Sequence, residues 1–164
     1  MGTGKSTIGS LLAKRLGMTH VDLDQAIVES EGVDIPTIFK EKGESYFREV
    51  ETHLLAKLLD RKSQVITTGG GAVLRSENVK QMMNHSLVIG LYADADEIIS
   101  RVTADQGRPL LAGNPAERVV VLLEERKGAY DFAMIQINTT KKQPDAIIEE
   151  ILKRMVEYQV KRQD

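Results

Sequence analysis

Strand-like and helix-like patterns alternate along the whole chain, and this alternation constrains the fold more than any other feature. Apolar or β-branched runs at 19–23, 64–68, 86–92 and 134–138 are each followed by a segment with helical spacing of apolar residues. Strands that are separated by helices pair in parallel, and the helices then cover both faces of the sheet. The sequence therefore predicts an α/β fold built as a three-layer sandwich.

Glycines and one proline mark where the predicted helices begin and end. The first helix spans about 5–16 and stops before Gly17, and Asp24 is expected to cap the next one, which ends near Gly32. Pro36 opens a short helix that ends at Gly43. Further helices are predicted at about 44–60, 76–84, 93–103 and 116–129 and at the C-terminus.

Composition excludes several classes of function. The 164 residues include 22 Lys+Arg and 24 Asp+Glu, so the net charge is −2, and there are only 4 Tyr and 3 Phe. Nucleic-acid binding is disfavoured, because it uses a positive field and stacking aromatics. The absence of cysteine excludes disulfides, a thiol nucleophile and a Cys-based zinc site, and it favours a reducing cytoplasm. The longest apolar runs are too short to span a membrane. No linker divides the sequence, so we expect one domain over 1–164, and a monomer.

The opening segment is most of a phosphate-binding motif. Gly2-Thr3-Gly4-Lys5-Ser6-Thr7 carries the back half of G-x-x-x-x-G-K-[ST] at the start of a predicted helix. Glycines let backbone N–H groups approach phosphate oxygens, the lysine reaches the β- and γ-phosphates, and the serine binds Mg²⁺. A flexible glycine-rich terminus is the alternative, but four matching positions before an amphipathic helix favour phosphate binding.

Two further groups lie at the carboxyl ends of predicted strands, where ligands of open α/β sheets bind. Asp22 and Asp24 end one strand, and Gly69-Gly70-Gly71 ends the next. Phosphoryl transfer uses a carboxylate near the metal and another near the attacking hydroxyl. The alternatives are that Asp24 only caps a helix, that Asp22 is solvated, and that the glycines only form a tight turn.

Three arginines are individually weak candidates. Arg48 has Glu51 at i+3, which could hold its guanidinium, although a surface ion pair is the simpler interpretation. Arg108 lies in a segment at about 104–115 that is typical of a mobile loop, and Arg126 lies in a charged run typical of a solvated helix face.

Together these motifs resemble the shikimate kinases over nearly the whole length of the chain. The resemblance is carried by motifs that few other P-loop kinases combine: Gly2-Thr3-Gly4-Lys5-Ser6-Thr7, Asp22-Leu23-Asp24, Phe47-Arg48-Glu49-Val50-Glu51, Gly69-Gly70-Gly71, Arg108-Pro109-Leu110-Leu111 and Arg126…Tyr130. It implies a P-loop fold of the nucleoside-monophosphate-kinase type with a five-stranded parallel sheet. It also implies transfer of the γ-phosphoryl of ATP to the 3-hydroxyl of shikimate, in aromatic amino-acid biosynthesis.

The resemblance also assigns roles to individual residues. Residues 2–7 would hold the ATP phosphates, while Ser6 and Asp22 would bind Mg²⁺, Asp22 through water. Three residues would be catalytic: Lys5, Asp24 and Arg108. The helices at about 24–60 would form the substrate-binding region. Shikimate would be bound by Asp24, Arg48, Gly70, Gly71 and Arg126. Arg101 and the stretch from Lys142 to Pro144 would flank the adenine, and the segment at 104–115 would form a lid.

Two rival functions remain open at the level of sequence. One is another small-molecule kinase of the same fold, acting on gluconate or a nucleotide, and the other is a non-catalytic nucleotide-binding relative. The phosphate-binding motif lacks its front half here, because its first glycine and the central strand that precedes it would fall before Met1. This favours the non-catalytic relative. Retention of the lysine, aspartate and arginines named above favours an active kinase.

Overall fold

The computed structural model describes residues 2–104 and 115–161, which form two compact units. One unit contains residues 9–87, and the other contains residues 2–8 together with those described from 88 onward. In the part of the chain that is described, no helix is both long enough and apolar enough to cross a membrane.

The unit of residues 9–87, hereafter the central unit, holds the longest helix. Helix α1 (Lys5–Leu16) leads into this unit, and the first turn of α1 belongs to the other unit. The elements that follow in the central unit are β1 (Thr19–Asp22), α2 (Leu23–Glu31), α3 (Ile35–Leu59), β2 (Gln64–Thr67), a 3₁₀ turn (Ala72–Leu74) and α4 (Ser76–His85). β1 and β2 pair in parallel from Thr19 opposite Gln64 to Asp22 opposite Thr67. Fully buried side chains of α2 and α3, among them Ile27, Ile38 and Leu55, form much of its core.

The other unit, hereafter the terminal unit, repeats the same construction. Its elements are β3 (Ile89–Tyr92), α5 (Ala95–Ala104), α6 (Pro115–Glu125), β4 (Ile135–Asn138) and α7 (Pro144–Val160). β3 and β4 pair in parallel, from Ile89 opposite Ile135 to Tyr92 opposite Asn138. Ile98, Val102 and Val119 pack together between α5 and α6. The predicted alternation and parallel pairing are thus confirmed for the described residues, as two sheets of two strands each.

The start of α2 corrects one expectation. Asp22, and not Asp24, is the N-cap: its Oδ1 accepts hydrogen bonds from the backbone N–H groups of Asp24 and Gln25. The strand ends one residue earlier than predicted, so the helix begins at Leu23 and places Asp24 in its first turn. Asp22 therefore satisfies the backbone N–H groups of the helix terminus, and Asp24 does not have this capping role.

The predicted break at Gly43 is confirmed. Gly43 has φ of +81° inside α3, a conformation that L side chains adopt at a cost, and the helix bends there. Asp34 caps the first segment by accepting from the N–H of Thr37 at 2.9 Å. The second segment carries Arg48 and Glu51.

The end of α6 differs from the expectation. The helix stops at Glu125, four residues before the predicted end at about 129, and Arg126 opens a turn in which Gly128 has φ of +75°. A left-handed residue ends a helix, and glycine adopts this conformation at least cost. Arg126 consequently lies in the turn and not on a solvated helix face.

Replacing Gly9 with alanine is expected to destabilise the protein by about 1–3 kcal/mol, because α1 packs tightly at this point. A Cβ at position 9 would overlap Cγ2 of buried Thr67 and lie 3.1 Å from Nε2 of His20. Urea unfolding measures the effect, with Ser10→Ala on the exposed side of the same helix as the control. A Gly9→Ala variant as stable as Ser10→Ala would contradict this packing.

Candidate active site

The glycine loop before α1 has the backbone conformation of an anion-binding segment. Gly2 and Gly4 have φ of +67° and +86°, and α1 begins directly afterwards at Lys5. The first helical turn is closed by a 2.9 Å hydrogen bond from the N–H of Ile8 to the carbonyl of Gly4. Alternating backbone conformations at a helix N-terminus turn N–H groups toward an anion. Ser6 and Thr7 follow in the exposed first turn of α1.

A cavity of about 440 Å³ lies beside this loop within the terminal unit. Its wall combines the loop with residues of α5 and α7: Gly2, Thr3, Gly4, Thr7, Ile8, Glu97, Arg101, Val102, Lys142, Pro144 and Ile147. The structure thus brings together most of the residues expected at a nucleotide site. The lining combines the cationic side chains of Arg101 and Lys142 with aliphatic side chains, a combination that suits a phosphate chain attached to a flat base.

Arg101 also fastens the glycine loop in place. Its guanidinium donates to the carbonyls of Gly2 at 3.3 Å and Thr139 at 2.7 Å, and it pairs with Glu97 at 2.9 Å. The buried hydroxyl of Thr139 donates to the carbonyl of Thr3 at 3.3 Å. The sequence analysis did not identify Thr139, because its contact to residue 3 spans 136 positions.

The carboxylate of Asp22 is oriented by several donors. Besides its capping bonds, its Oδ2 accepts from the hydroxyl of Thr67 at 2.9 Å, and Thr67 in turn contacts Nε2 of His20 at 3.1 Å. Among residues 2–104 and 115–161, no cluster of three or more His, Cys, Asp or Glu side chains forms a ready metal cage. Mg²⁺ sites in kinases use one or two protein ligands together with substrate phosphates and water, and the carboxylate of Asp22 is a ligand of this kind.

The triple glycine lies against two of the expected substrate-binding residues in the central unit. A Cβ on Gly69 would be 2.7 Å from Oδ1 of Asp24, and a Cβ on Gly71 would be 2.6 Å from Nη2 of Arg48. Neither glycine has a positive φ. Glycine is therefore required here for space, because the carboxylate and the guanidinium occupy the places that side chains would take. The triple glycine thus lies against a negative group at Gly69 and a positive group at Gly71.

Arg48 is held by two carboxylates on its own helix. It donates to Oε2 of Glu51 at 2.8 Å and to Oε1 of Glu44 at 3.2 Å. Burial alone would lower the pKa of Arg48, but these carboxylates outweigh it and raise the pKa. Glu51 is itself almost completely buried. The pair is consequently a fixed part of the site and not the surface ion pair weighed as an alternative.

Burial raises the pKa of Glu51 above its ordinary value of 4.5, and the hydrogen bond and charge of Arg48 only partly oppose this shift. A raised pKa in the folded state means that its stabilising contribution is full below about pH 4.5 and is lost as the pH rises through the folded pKa. We therefore expect the unchanged protein to lose stability relative to the Glu51→Gln variant as the pH rises above about 4.5. The unfolding free energy of the variant minus that of the unchanged protein should thus increase with pH. Urea unfolding from pH 4 to 7 tests this, and a difference that decreases with pH would contradict it.

The remaining expected residues are distributed between the two units. Lys5, Ser6 and Arg126 belong to the terminal unit, whereas Gly70 belongs to the central unit between Gly69 and Gly71. Arg108 and nearly all of the expected lid at 104–115 lie outside the described residues. Thr52 and Arg75, which contact the backbone of Arg48, were not identified from the sequence. Their only sequence signal is proximity to Arg48 and to the triple glycine.

Comparisons with known proteins match this chain to one family. The shikimate kinase family model matches residues 1–156. A shikimate kinase of Sulfurihydrogenibium sp. (strain YO3AOP1) is 43% identical over 155 residues, covering 94% of this chain and 93% of that protein. The structure of a shikimate kinase from Acinetobacter baumannii in complex with shikimate superposes with a TM-score of 0.89 at 34% identity, covering 96% of this chain and 89% of that one.

A more distant similarity concerns the fold alone. A gluconokinase from Sinorhizobium meliloti 1021 superposes with a TM-score of 0.65 at 17% identity, covering 100% of this chain and 93% of that one. The expected P-loop kinase fold is thus supported by both structures. Since the family match covers nearly the whole chain and the relatives are closely similar, the chain belongs to the shikimate kinase family.

Proposed function

We propose that this chain transfers the γ-phosphoryl group of ATP to the 3-hydroxyl of shikimate, giving shikimate 3-phosphate and ADP. The observation that carries the proposal is the turn at Gly69 to Gly71, against which the Asp24 carboxylate and the Arg48 guanidinium pack. A guanidinium matches the planar carboxylate of shikimate, and a carboxylate matches its hydroxyl groups. Membership of the family supports the same substrates.

The phosphates of ATP would be bound by residues 2–7. The positive φ values of Gly2 and Gly4 and the N-terminus of α1 support this role, as does the adjoining cavity, where Arg101 and Lys142 would flank the adenine. Lys5 and Arg108 would stabilise the charge on the transferred group. Mg²⁺, when bound, would neutralise charge on the β- and γ-phosphates, with Ser6 and Asp22 holding it.

In the reaction, the 3-hydroxyl oxygen of shikimate forms a bond to the γ-phosphorus while the bond from that phosphorus to the bridging oxygen of ADP breaks. Asp24 would orient the hydroxyl and accept its proton. Arg48, Arg126 and the backbone of Gly70 and Gly71 would fix the ring, so that the 3-hydroxyl is the one presented. Closure of the lid at 104–115 would exclude water, which would otherwise hydrolyse ATP.

Release of ADP with and without shikimate tests the proposal directly. We expect turnover that depends on shikimate, with gluconate and AMP inactive as acceptors. Phosphorylation of gluconate or a nucleotide, but not of shikimate, would overturn the substrate assignment. ATP binding without phosphorylation of any acceptor would instead favour a non-catalytic relative.

Different kinetic constants are expected to change in the variants Gly71→Ala and Gly69→Ala. Gly71→Ala displaces the guanidinium of Arg48, so the KM for shikimate should rise about tenfold. Gly69→Ala displaces the carboxylate of Asp24, so kcat should fall instead. Steady-state kinetics with each substrate varied in turn measure both, and the two variants serve as controls for each other. Identical effects would contradict the separate roles of Asp24 and Arg48.

We also propose the finer features that the resemblance implies: one domain over 1–164, a five-stranded parallel sheet, a monomer and a cytoplasmic location. The parallel pairing of both strand pairs and the composition without cysteine support these features. A crystal structure of the protein tests the number of strands in the sheet. Light scattering coupled to size exclusion tests the monomer, and a dimer at micromolar concentration would contradict it.

A further inference from the structure

Arg75 contacts the turn of α3 that carries the expected carboxylate-binding arginine. Its Nη1 donates to the backbone carbonyl of Arg48 at 3.0 Å and lies 3.1 Å from the hydroxyl of Thr52. That hydroxyl donates to the same carbonyl at 2.9 Å. A cation and a hydroxyl thus converge on one carbonyl, and Thr52 is buried. The result is a small network that fixes this turn of the helix.

The origin of Arg75 in the chain gives this network its significance. Arg75 directly follows the 3₁₀ turn Ala72–Leu74, whose backbone continues from the triple glycine through a 3.0 Å hydrogen bond from Leu74 N–H to the carbonyl of Gly71. Asn78 also holds the turn, because its buried amide donates to the carbonyl of Ala72 at 2.9 Å. Arg75 therefore connects the glycine turn to α3 over 27 positions of sequence.

The charge of Arg75, like its hydrogen bonds, supports the part of α3 that carries Arg48. Glu51, which holds the guanidinium of Arg48, is buried among three other charged groups: Arg48 on its own helix, Asp24 on α2 and Arg75. Burial raises the pKa of Glu51 and Asp24 adds to this, whereas Arg48 and Arg75 lower it. Arg75 thus acts with Arg48 to favour the ionised form of Glu51.

We propose that Arg75 is a positioning residue for substrate recognition, which sets the guanidinium of Arg48 against the glycine turn by anchoring the Arg48–Thr52 turn of α3. Arg75 acts through Arg48 and does not itself contact the substrate. This inference rests on the proposed function, in which Arg48 binds the carboxylate of shikimate.

The test compares Arg75→Met, Arg75→Lys and the unchanged protein in steady-state kinetics. Arg75→Met should raise the KM for shikimate about tenfold, a size typical of residues that share one hydrogen-bond network, and should leave the KM for ATP within about twofold. Arg75→Lys should restore the KM for shikimate, because one atom of Arg75 makes both contacts and an ammonium can replace it. A merely structural role would affect both KM values and would not separate the two variants in this way.

A double-mutant cycle with Arg48→Met shows whether Arg75 acts through Arg48. In the Arg48→Met background, Arg75→Met should change the KM for shikimate by less than about twofold. The same tenfold effect in both backgrounds would overturn the inference, as would an unchanged KM in Arg75→Met alone. If Arg48→Met itself leaves the KM for shikimate unchanged, the proposed role of Arg48 fails first, and the positioning role of Arg75 fails with it.

Two further variants guard against misinterpretation. Thr52→Val keeps the shape of the side chain but removes the hydroxyl shared with Arg75, so it should raise the KM for shikimate in the same direction. It replaces Arg75→Met in the cycle if that variant does not fold. Arg61→Met removes an exposed arginine just after α3 and should leave both KM values unchanged.

Discussion

Replacing Asp24 with asparagine should lower kcat for shikimate phosphorylation by about 10²- to 10⁴-fold, with the KM for ATP unchanged within about twofold. Asparagine has nearly the same shape but cannot accept the proton of the attacking hydroxyl. Asp22 and not Asp24 caps α2, and the carboxylate of Asp24 lies against Gly69 in the central unit. The expected effect therefore falls on the acceptor and not on ATP binding.

The matched control is Asp34→Asn. Asp34 caps α3 through the N–H of Thr37, and asparagine is an equally good N-cap, so both kcat and stability should be retained. Kinetics at saturating ATP and shikimate, with an unfolding curve for each variant, provide the comparison. A kcat of Asp24→Asn equal to that of Asp34→Asn would remove Asp24 from the reaction.

The second large effect is expected for Arg48→Met. Loss of the guanidinium removes the planar partner of the substrate carboxylate, so the KM for shikimate should rise by about 100-fold or more. The change also leaves the buried carboxylate of Glu51 without its 2.8 Å partner, which should lower the unfolding free energy by about 1–3 kcal/mol.

A second variant separates these two consequences. Arg48→Met combined with Glu51→Gln removes the unpaired buried charge, so stability should recover while the KM for shikimate stays high. Urea unfolding and steady-state kinetics on the same preparations give both quantities. Recovery of the KM together with stability would mean that Arg48 acts only as a structural partner of Glu51.

Local structure was largely predictable from the pattern of residues. The bounds of α1, Lys5–Leu16, agree with the prediction, and β2 begins at the expected Gln64. The break at Gly43 was predicted because glycine interrupts a helical pattern. Such features depend on residues a few positions apart, and these are adjacent in the sequence as well as in space.

Boundaries and caps were less predictable where two signals compete. Asp22 and Asp24 are both suitable N-caps, and the choice depends on where the pairing of β1 with β2 ends. Thr67 donates to Asp22 from the neighbouring strand and reinforces this choice. A partner 45 positions away in sequence has no local signature.

By itself the sequence determined the alternation of strands and helices and the resemblance to the shikimate kinase family, from which the roles of individual residues are predicted. Only the tertiary structure decided what each of those residues touches. Gly69 and Gly71 are glycines because Asp24 and Arg48 fill the adjoining space, and Arg75 anchors the backbone of Arg48. Periodicity and motif spacing reflect neighbours along the chain, whereas these contacts join segments 23 to 45 positions apart, so they exist only once helices and strands have packed.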